Sequence, residues 1–364
     1  MFLKNIKNKN IGLVIVMVMS PYILSCCIIT NEYEYNKEEV DKNIILFIEG
    51  NNDLNLYSDS LVSEMLIASN RFNQNDACLF IVYDDTDSTK IYDVQKNLYH
   101  SYPKQNVLNV EYLKDLLKNC INAQPAKEYG LILWSHGTGW IRTNVTRSFG
   151  DDNGRDLNID KLSQSLPIKF DYIIFDACYM SCVEVVAELE QNSDYILASP
   201  ESVPALGIVN ANCIDELMSN CDLETRLSHI CDYYKEKYIG HDEVSLALIK
   251  TNEINNLMNK IKKINNTICI SNNELETVHY YKYRNYKLFF DLHDVLLIDS
   301  LKKIDFDIKS LVKYNVFSGK KYKESSGISI FLPLESNKIY YESYKGTYWN
   351  KQTNWLEKIE QEGN

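Results

Sequence analysis

The sequence has few glycines and prolines, no excess of positive charge and no long apolar run, and each shortage excludes a class of protein. With 13 Gly and 7 Pro among 364 residues, the composition is neither that of a disordered chain nor that of a fibrous one. Lys and Arg number 38 against 50 Asp and Glu, and the resulting net charge of −12 excludes a general nucleic-acid partner, because few cations remain to neutralise phosphates. The composition therefore predicts a globular protein of one large domain or two moderate ones.

Cysteine is also too sparse for a small disulfide scaffold. The ten cysteines are spread over a long chain, and no paired CxxC motifs are present that would indicate a zinc site. Each cysteine therefore has to be interpreted individually.

The first 25 residues are typical of a bacterial export signal. Three lysines precede an apolar run over 11–19, which is too short to cross a bilayer of about 30 Å as a helix. The following segment ILSC resembles a lipobox, so we expect cleavage before Cys26 and attachment of a lipid to it. Residues 30–41 are polar and acidic, which indicates that residues 26–42 form a tether. A short uncleaved anchor is the alternative.

From residue 43 onward, short apolar runs alternate with helical patterns. The apolar runs show little period-two alternation, which is typical of strands buried on both faces of a parallel sheet. This order predicts an α/β fold with a mostly parallel sheet flanked by helices. Strands are predicted at 44–48, 79–83, 131–134, 172–175, 195–198 and 244–249, and helices at 59–71, 111–121, 158–166, 183–190, 223–238 and 253–264.

The chain after residue 270 is rich in Tyr and Lys and is less regular. We predict a helix over 292–301 and a strand over 327–332, followed by an aromatic tail. Because no Pro-, Gly- or Ser-rich linker separates 271–364 from the core at 43–270, we expect one unit. The C-terminal part either completes the sheet or forms a small extra layer.

Two predicted strands end in residues suited to nucleophilic chemistry. His136 follows the strand at 131–134, and Cys178 follows the strand at 172–175. Because ligands bind at the carboxyl ends of parallel strands, we expect His136 and Cys178 to meet at one sheet edge. A nearby imidazole makes a thiol nucleophilic near neutral pH, and a helix beginning soon after Cys178 would lower the pKa of its thiol further.

Asp176 and Gly137 extend this candidate site. In an extended chain Asp176 points to the same side as Cys178, so its carboxylate can bind a cationic group of a substrate. Gly137 has no side chain to obstruct its N–H, which together with the Cys178 N–H would stabilise an oxyanion. The alternatives are an inert buried Cys178, a structural His136, a helix-capping Asp176, and a metal or redox pair of Cys178 with Cys182.

The segments WSHGTGW and FDACYMSCVEVVAEL resemble the His and Cys motifs of the clostripain family of cysteine peptidases. FIEGNNDLNL, LASPESVPALG, FDLHDV and GISIFLP extend the resemblance over about residues 43–360. It implies a caspase-like α/β fold with Cys178 as nucleophile, His136 as general base, and Gly137 with Cys178 as the oxyanion hole. It also implies that Asp176 lies at the base of the specificity pocket, so that proteins or peptides are cleaved after Arg or Lys.

Members of this family are often activated by internal cleavage between the two motifs. In the polar interval 142–154 we favour the bond between Arg147 and Ser148, with Arg142 and Arg155 as alternative sites and an ordinary surface loop as the other explanation. Some relatives have a second acidic residue in the pocket wall, where this chain has VPALG at 203–207, so the preference for basic residues would depend on one carboxylate.

The sequence thus predicts a lipid-anchored, extracytoplasmic cysteine endopeptidase of the bacterial cell envelope, periplasmic or on the cell surface. We expect Arg to be preferred over Lys, because a desolvated carboxylate gains most from a bidentate guanidinium. No cofactor and no metal is required by the sequence. Calcium stays open because some relatives depend on it, although residues 151–154 lack the ligand pattern of an EF-hand. The rival is a surface lipoprotein that uses the same fold as a binding module.

Overall fold

The computed structural model describes residues 38–74, 76–142, 148–240, 243–319 and 325–362. The predicted signal segment, Cys26 and Arg147 lie outside these ranges. The described residues fall within one compact unit.

The strands alternate with helices along the chain. They are β1 (Val40–Glu49), β2 (Ala77–Asp84), β3 (Ser88–Asp93), β4 (Leu98–Pro103), β5 (Ala126–Trp134), β6 (Phe149–Asp152), β7 (Arg155–Leu157), β8 (Phe170–Asp176), β9 (Ser193–Ala198), β10 (Ser245–Lys250), β11 (Ile268–Ile270), β12 (Tyr280–Tyr283), β13 (Tyr286–Asp291), β14 (Val312–Phe317), β15 (Ser329–Ile330) and β16 (Ile359–Gln361).

The helices are α1 (Asn55–Ile67), α2 (Val110–Ala123), α3 (Ile159–Ser165), α4 (Val183–Leu189), α5 (Ala211–Met218), α6 (Leu223–Tyr238), α7 (Glu253–Lys262), α8 (Asn272–Thr277), α9 (Leu292–Leu297), α10 (Ile308–Leu311), α11 (Tyr341–Lys345), α12 (Tyr348–Thr353) and α13 (Trp355–Lys358). Short 3₁₀ turns cover Ala68–Gln74, Lys302–Ile304 and Glu335–Tyr340. In the part of the chain that the structure covers, no helix combines the length and apolarity that crossing a membrane requires.

The main sheet is mixed and mostly parallel, which confirms the predicted α/β fold. Among the described residues its nine strands follow the order β14-β10-β9-β8-β5-β1-β2-β3-β4. The five strands from β9 to β2 are parallel to one another, and antiparallel strands flank them on both sides. The expectation of a further parallel strand at 244–249 was wrong, because β10 runs antiparallel to β9. Since β10 is buried on both faces, its apolar pattern does not reveal its direction.

Helices cover the sheet because its central strands are apolar on both faces. Ile44, Leu46 and Ile48 of β1 share one hydrophobic cluster with buried side chains of α1, α5 and α6. Outside this cluster α2 packs against α3, and α3 packs against α4. Helix α2 also contacts β1. The layers leave the carboxyl ends of the parallel strands at one edge.

The C-terminal part both completes the main sheet and adds a small layer. Strand β14 pairs with β10 in the main sheet, whereas β12, β13 and β15 form a separate three-stranded sheet within the described ranges. The helix predicted over 292–301 ends earlier, at Leu297, and the strand predicted over 327–332 is limited to Ser329–Ile330.

Candidate active site

The register of two parallel strands brings His136 and Cys178 together. Trp134, the last residue of β5, pairs with Asp176, the last residue of β8. His136 and Cys178 each follow two residues later, so they lie at the same level just beyond the ends of two neighbouring strands. The two reactive side chains therefore share one edge of the sheet.

Gly137 packs against the backbone of Cys178, where any other residue would collide. A Cβ atom at position 137 would lie 2.5 Å from the Cys178 carbonyl oxygen and 2.9 Å from its amide nitrogen. No described residue accepts a hydrogen bond from the N–H of Gly137 or of Cys178. Two such donors beside a nucleophile are suited to stabilise an oxyanion.

The thiol and the imidazole contact other groups in this conformation. The Val203 N–H donates a hydrogen bond to Cys178 Sγ at 3.2 Å. His136 Nε2 lies 2.6 Å from Asp53 Oδ1. Within the described ranges no hydrogen bond joins His136 to Cys178, so proton transfer between them requires the side chains to approach each other.

Burial raises the pKa of the Cys178 thiol, and the nearby carboxylates of Asp176 and Glu201 add to this effect. The Val203 N–H acts in the opposite direction. Helix α4 begins at Val183, as predicted, after a turn and an irregular segment, and a lowering of this pKa by its N-terminus stays a prediction. His136 is left as the group that can activate the thiol.

Asp176 is buried beneath the segment that follows β9. Its side chain carboxylate accepts hydrogen bonds from the N–H groups of Ile208 at 2.8 Å and Val209 at 2.9 Å, and burial raises its pKa to about 6. The Lys237 ammonium binds the carbonyls of Leu206 and Gly207 in the same segment. Only 3% of the surface of Asp176 is exposed in this conformation.

Comparison with known proteins assigns the family. The sequence profile described as the clostripain family, peptidase C11, matches residues 46–361. The chain belongs to the clostripain family. It is therefore a cysteine peptidase, a hydrolase. No protein of curated function matches the chain in sequence.

Solved structures of clostripain-family peptidases share this fold. An inactive zymogen of a C11 protease from Parabacteroides distasonis is 21% identical, with a TM-score of 0.72 over 87% of this chain and 99% of that chain. A secreted C11 cysteine protease from Bacteroides thetaiotaomicron, in complex with an irreversible peptide inhibitor, is also 21% identical, with a TM-score of 0.75 and the same coverage. At these identities the similarity establishes the architecture.

The turn after Cys178 of this clostripain-family peptidase is held by its C-terminal layer. Tyr179 has a φ of 61°, which is uncommon for a non-glycine residue. Its ring stacks on Phe289 of β13 at a centroid distance of 5.0 Å, and its hydroxyl donates to the Lys282 carbonyl at 2.8 Å. Tyr179 was not among the predicted site residues, although it directly follows Cys178.

Cys182 is unsuited to the alternative role of a redox or metal partner. It is fully buried, and burial raises the pKa of its thiol well above the ordinary range. Cys178 and Cys182 are both free cysteines. A thiolate at Cys182 is therefore disfavoured near neutral pH.

The segment after the candidate processing bond belongs to the loop that carries His136. Ser148 is fully buried, and its carbonyl accepts a hydrogen bond from the Thr138 N–H at 3.0 Å. The Gly150 N–H donates to the His136 carbonyl at 2.9 Å. Arg142, the alternative site, forms an ion pair with Asp160.

A buried acidic cluster lies beside the site and was not predicted. Carboxylate oxygens of Glu49, Asp84 and Asp152 lie within 4.8 Å of one another, a spacing that suits a metal ion. However, the Lys104 ammonium pairs with Asp84 and lies 3.8 Å from Asp152. The cluster thus has a counter-ion of its own, and its burial requires no metal.

Proposed function

We propose that this clostripain-family peptidase is an endopeptidase that cleaves proteins and peptides after Arg, and less efficiently after Lys, through a dyad of Cys178 and His136. The proposal is carried by the register of Trp134 with Asp176, since His136 and Cys178 follow this pair just beyond the ends of two adjacent strands. The relative in complex with a peptide inhibitor supports a peptide substrate.

In this mechanism His136 accepts the thiol proton, and the Cys178 thiolate attacks the carbonyl carbon of the P1 residue. The N–H groups of Gly137 and Cys178 donate to the oxyanion of the tetrahedral intermediate. Its collapse breaks the peptide bond, His136 gives its proton to the leaving amine, and a thioester remains on Cys178. His136 then deprotonates a water molecule that hydrolyses the thioester, and the proton returns to the thiol.

Asp176 would supply the negative charge that selects a basic P1 residue. Its carboxylate is desolvated and lies two residues before the nucleophile, on the side of the 203–209 segment that Cys178 also contacts. A guanidinium that replaces the two backbone donors would form two parallel hydrogen bonds, which favours Arg over Lys. Opening of residues 203–209 is then part of substrate binding.

The test is hydrolysis of matched peptides with Arg, Lys or Gln at P1. We expect turnover in the order Arg, Lys, Gln, no turnover by Cys178→Ala, and a loss of the basic preference with a gain on Gln in Asp176→Asn. Undiminished turnover by Cys178→Ala would refute the mechanism. Full activity in the presence of a chelator is expected, and restoration by calcium after a loss would show a metal requirement.

We further propose that the peptidase activates itself by cleavage between Arg147 and Ser148. A solved relative is an inactive zymogen, which supports control by processing. Because Ser148 is buried, cleavage would follow release of 148–150 from the His136 loop. We expect N-terminal sequencing to find a new terminus at Ser148 in the wild type and none in Cys178→Ala. A fully active but intact chain would contradict activation by this step.

The proposed location is the bacterial cell envelope, with a lipid on Cys26 as the membrane contact. The segment ILSC that ends at Cys26 and the secreted relative support export. Mass spectrometry of the N-terminal peptide should find a lipid on Cys26, and Cys26→Ala should move the peptidase to the soluble fraction.

A further inference from the structure

Glu49 is a buried carboxylate that the mechanism above does not use. It is the last residue of β1, the strand next to β5, and none of its surface is exposed. Its Oε2 accepts hydrogen bonds from Ser135 Oγ at 2.6 Å, Asn52 Nδ2 at 2.8 Å and the Asp151 N–H at 3.0 Å. Its Oε1 accepts the Asn51 N–H at 3.1 Å.

Each donor on Oε2 belongs to a segment that contacts His136. Ser135 directly precedes His136 in the chain. Asn52 directly precedes Asp53, whose carboxylate contacts the imidazole. Asp151 directly follows Gly150, whose N–H binds the His136 carbonyl. One carboxylate oxygen therefore joins the three segments that surround the general base.

We propose that Glu49 is a positioning residue that fixes His136 by binding these three segments at one point. This inference rests on the proposed function. A carboxylate suits the role because both of its oxygens are acceptors, so several donors can converge on it. An amide of the same size would turn one of these atoms into a donor and face N–H or O–H groups with it.

The acidic neighbours of Glu49 do not explain its donors. Asp84 and Asp152 share the positive charge of Lys104, whereas no described lysine or arginine pairs with Glu49. The four donors to Glu49 are neutral groups. Two come from the loop after β1, one is Ser135 beside His136, and one is the Asp151 N–H in the segment after Ser148. The network thus orders loops instead of only balancing charge.

Glu184 supplies a matched control. It is also a buried glutamate, and burial raises its pKa to about 7, as it does for Glu49. Its Oε1 accepts the Phe331 N–H at 3.0 Å and the Tyr344 hydroxyl at 2.8 Å, both from the C-terminal part of the chain. Glu184→Gln therefore reports the general effect of neutralising a buried glutamate.

The experiment compares Glu49→Gln with Glu184→Gln at a temperature where both are folded. We expect Glu49→Gln to lower kcat at least about tenfold with KM within about twofold, since misplacing a reacting group affects the chemical step. Alkylation of Cys178 by iodoacetamide should slow in parallel. Glu184→Gln should retain the wild-type kcat and alkylation rate. Wild-type values in Glu49→Gln, or an equal loss in Glu184→Gln, would overturn the proposal.

Two further measurements cover the cases in which Glu49→Gln does not fold or the wild type cleaves no Arg peptide. If Glu49→Gln does not fold, Ser135→Ala removes a single donor, and a fall in kcat at constant KM supports the proposal whereas wild-type kinetics refute it. If the wild type cleaves no Arg peptide, the proposed function fails, but the alkylation rates of Glu49→Gln and Glu184→Gln still decide whether Glu49 positions His136.

Discussion

Asp53 Oδ1 lies 2.6 Å from His136 Nε2 and makes the imidazole part of a pair that involves the loop after β1. A carboxylate in this position fixes which ring nitrogen carries the proton and leaves the other nitrogen for the thiol. The Asp53 side chain is 82% exposed, so solvent screens its charge. Its contribution is therefore expected to come from orientation of the ring.

Replacing Asp53 tests this contact. We expect Asp53→Ala to lower kcat about threefold to tenfold with little change in KM, because an exposed pair contributes about 1 kcal/mol. Asp53→Asn should lose less, since its amide oxygen can still accept a hydrogen bond from the ring. Steady-state kinetics on an Arg peptide measure both, and a wild-type kcat in Asp53→Ala would show that the contact has no role in turnover.

Gly137 offers a sharper test of the oxyanion site. In Gly137→Ala the new Cβ would lie 2.5 Å from the Cys178 carbonyl oxygen. The Cys178 backbone would therefore have to move, and the two donor N–H groups would separate. We expect kcat to fall about 10²- to 10³-fold, the effect of losing one oxyanion donor. Single-turnover acylation by an Arg ester measures the step directly.

Gly240→Ala is the control for this substitution. Gly240 has a φ of +78°, and a Cβ there would meet no atom of the described residues within 4 Å. We expect a stability loss of about 1 kcal/mol from backbone strain and an unchanged kcat. An equal loss of kcat in both variants would mean that Gly137 acts only through stability.

The pH profile should report the state of Asp176. Burial raises its pKa to about 6, so in the free enzyme the carboxylate loses its charge as the pH falls through this value. We expect kcat/KM for Arg peptides to fall below about pH 6 in the wild type. The selectivity for Arg over Gln should fall in the same range. An Arg-to-Gln ratio that is constant from pH 5 to 8 would place the specificity charge elsewhere.

The same group should make stability depend on pH. The folded pKa of Asp176, about 6, exceeds the ordinary value of 3.8, so the folded state binds the proton more tightly. Stability is then greatest below about pH 3.8 and is lost as the pH rises through 6, by at most about 3 kcal/mol for this group. Urea unfolding from pH 4 to 7 should show Asp176→Asn gaining stability relative to the wild type. A constant difference between the two would contradict the raised pKa.

Local sequence patterns predicted much of the architecture because burial and helical periodicity are properties of single segments. Helix α6 has the predicted bounds, Leu223–Tyr238, and the central strands lie where the apolar runs are. Strands β3 and β4 were missed, since they lie towards the edge of the sheet and are only partly buried.

The contacts around His136 were not predictable in the same way. Asp53 lies 83 residues from His136 in the chain, and Glu49 lies 86 residues from Ser135. Both acids occur in the polar segment EGNND, which directly follows a buried strand, and this was the available signal. Which loop this segment would meet depends on the order of strands in the sheet, which the burial pattern of one strand does not specify.

The stacking of Tyr179 on Phe289 predicts that the C-terminal layer contributes to catalysis. Phe289 is fully buried in β13, and its ring lies nearly parallel to that of Tyr179, at 15°. Phe289→Leu keeps an apolar side chain but removes the stack, so we expect a stability loss of about 1 to 2 kcal/mol. The turn at Tyr179, which directly follows Cys178, would lose this packing contact. We therefore expect kcat to fall as well.

Tyr179→Phe separates the effect of the ring stack on Phe289 from that of the Tyr179 hydroxyl. It keeps the stacked ring and removes only the hydroxyl that donates to the Lys282 carbonyl, so we expect a loss of about 1 kcal/mol and a nearly unchanged kcat. Urea unfolding and kinetics at a temperature where both variants are folded measure the two effects. If Phe289→Leu loses stability but retains the wild-type kcat, the C-terminal layer supports the fold without orienting Cys178.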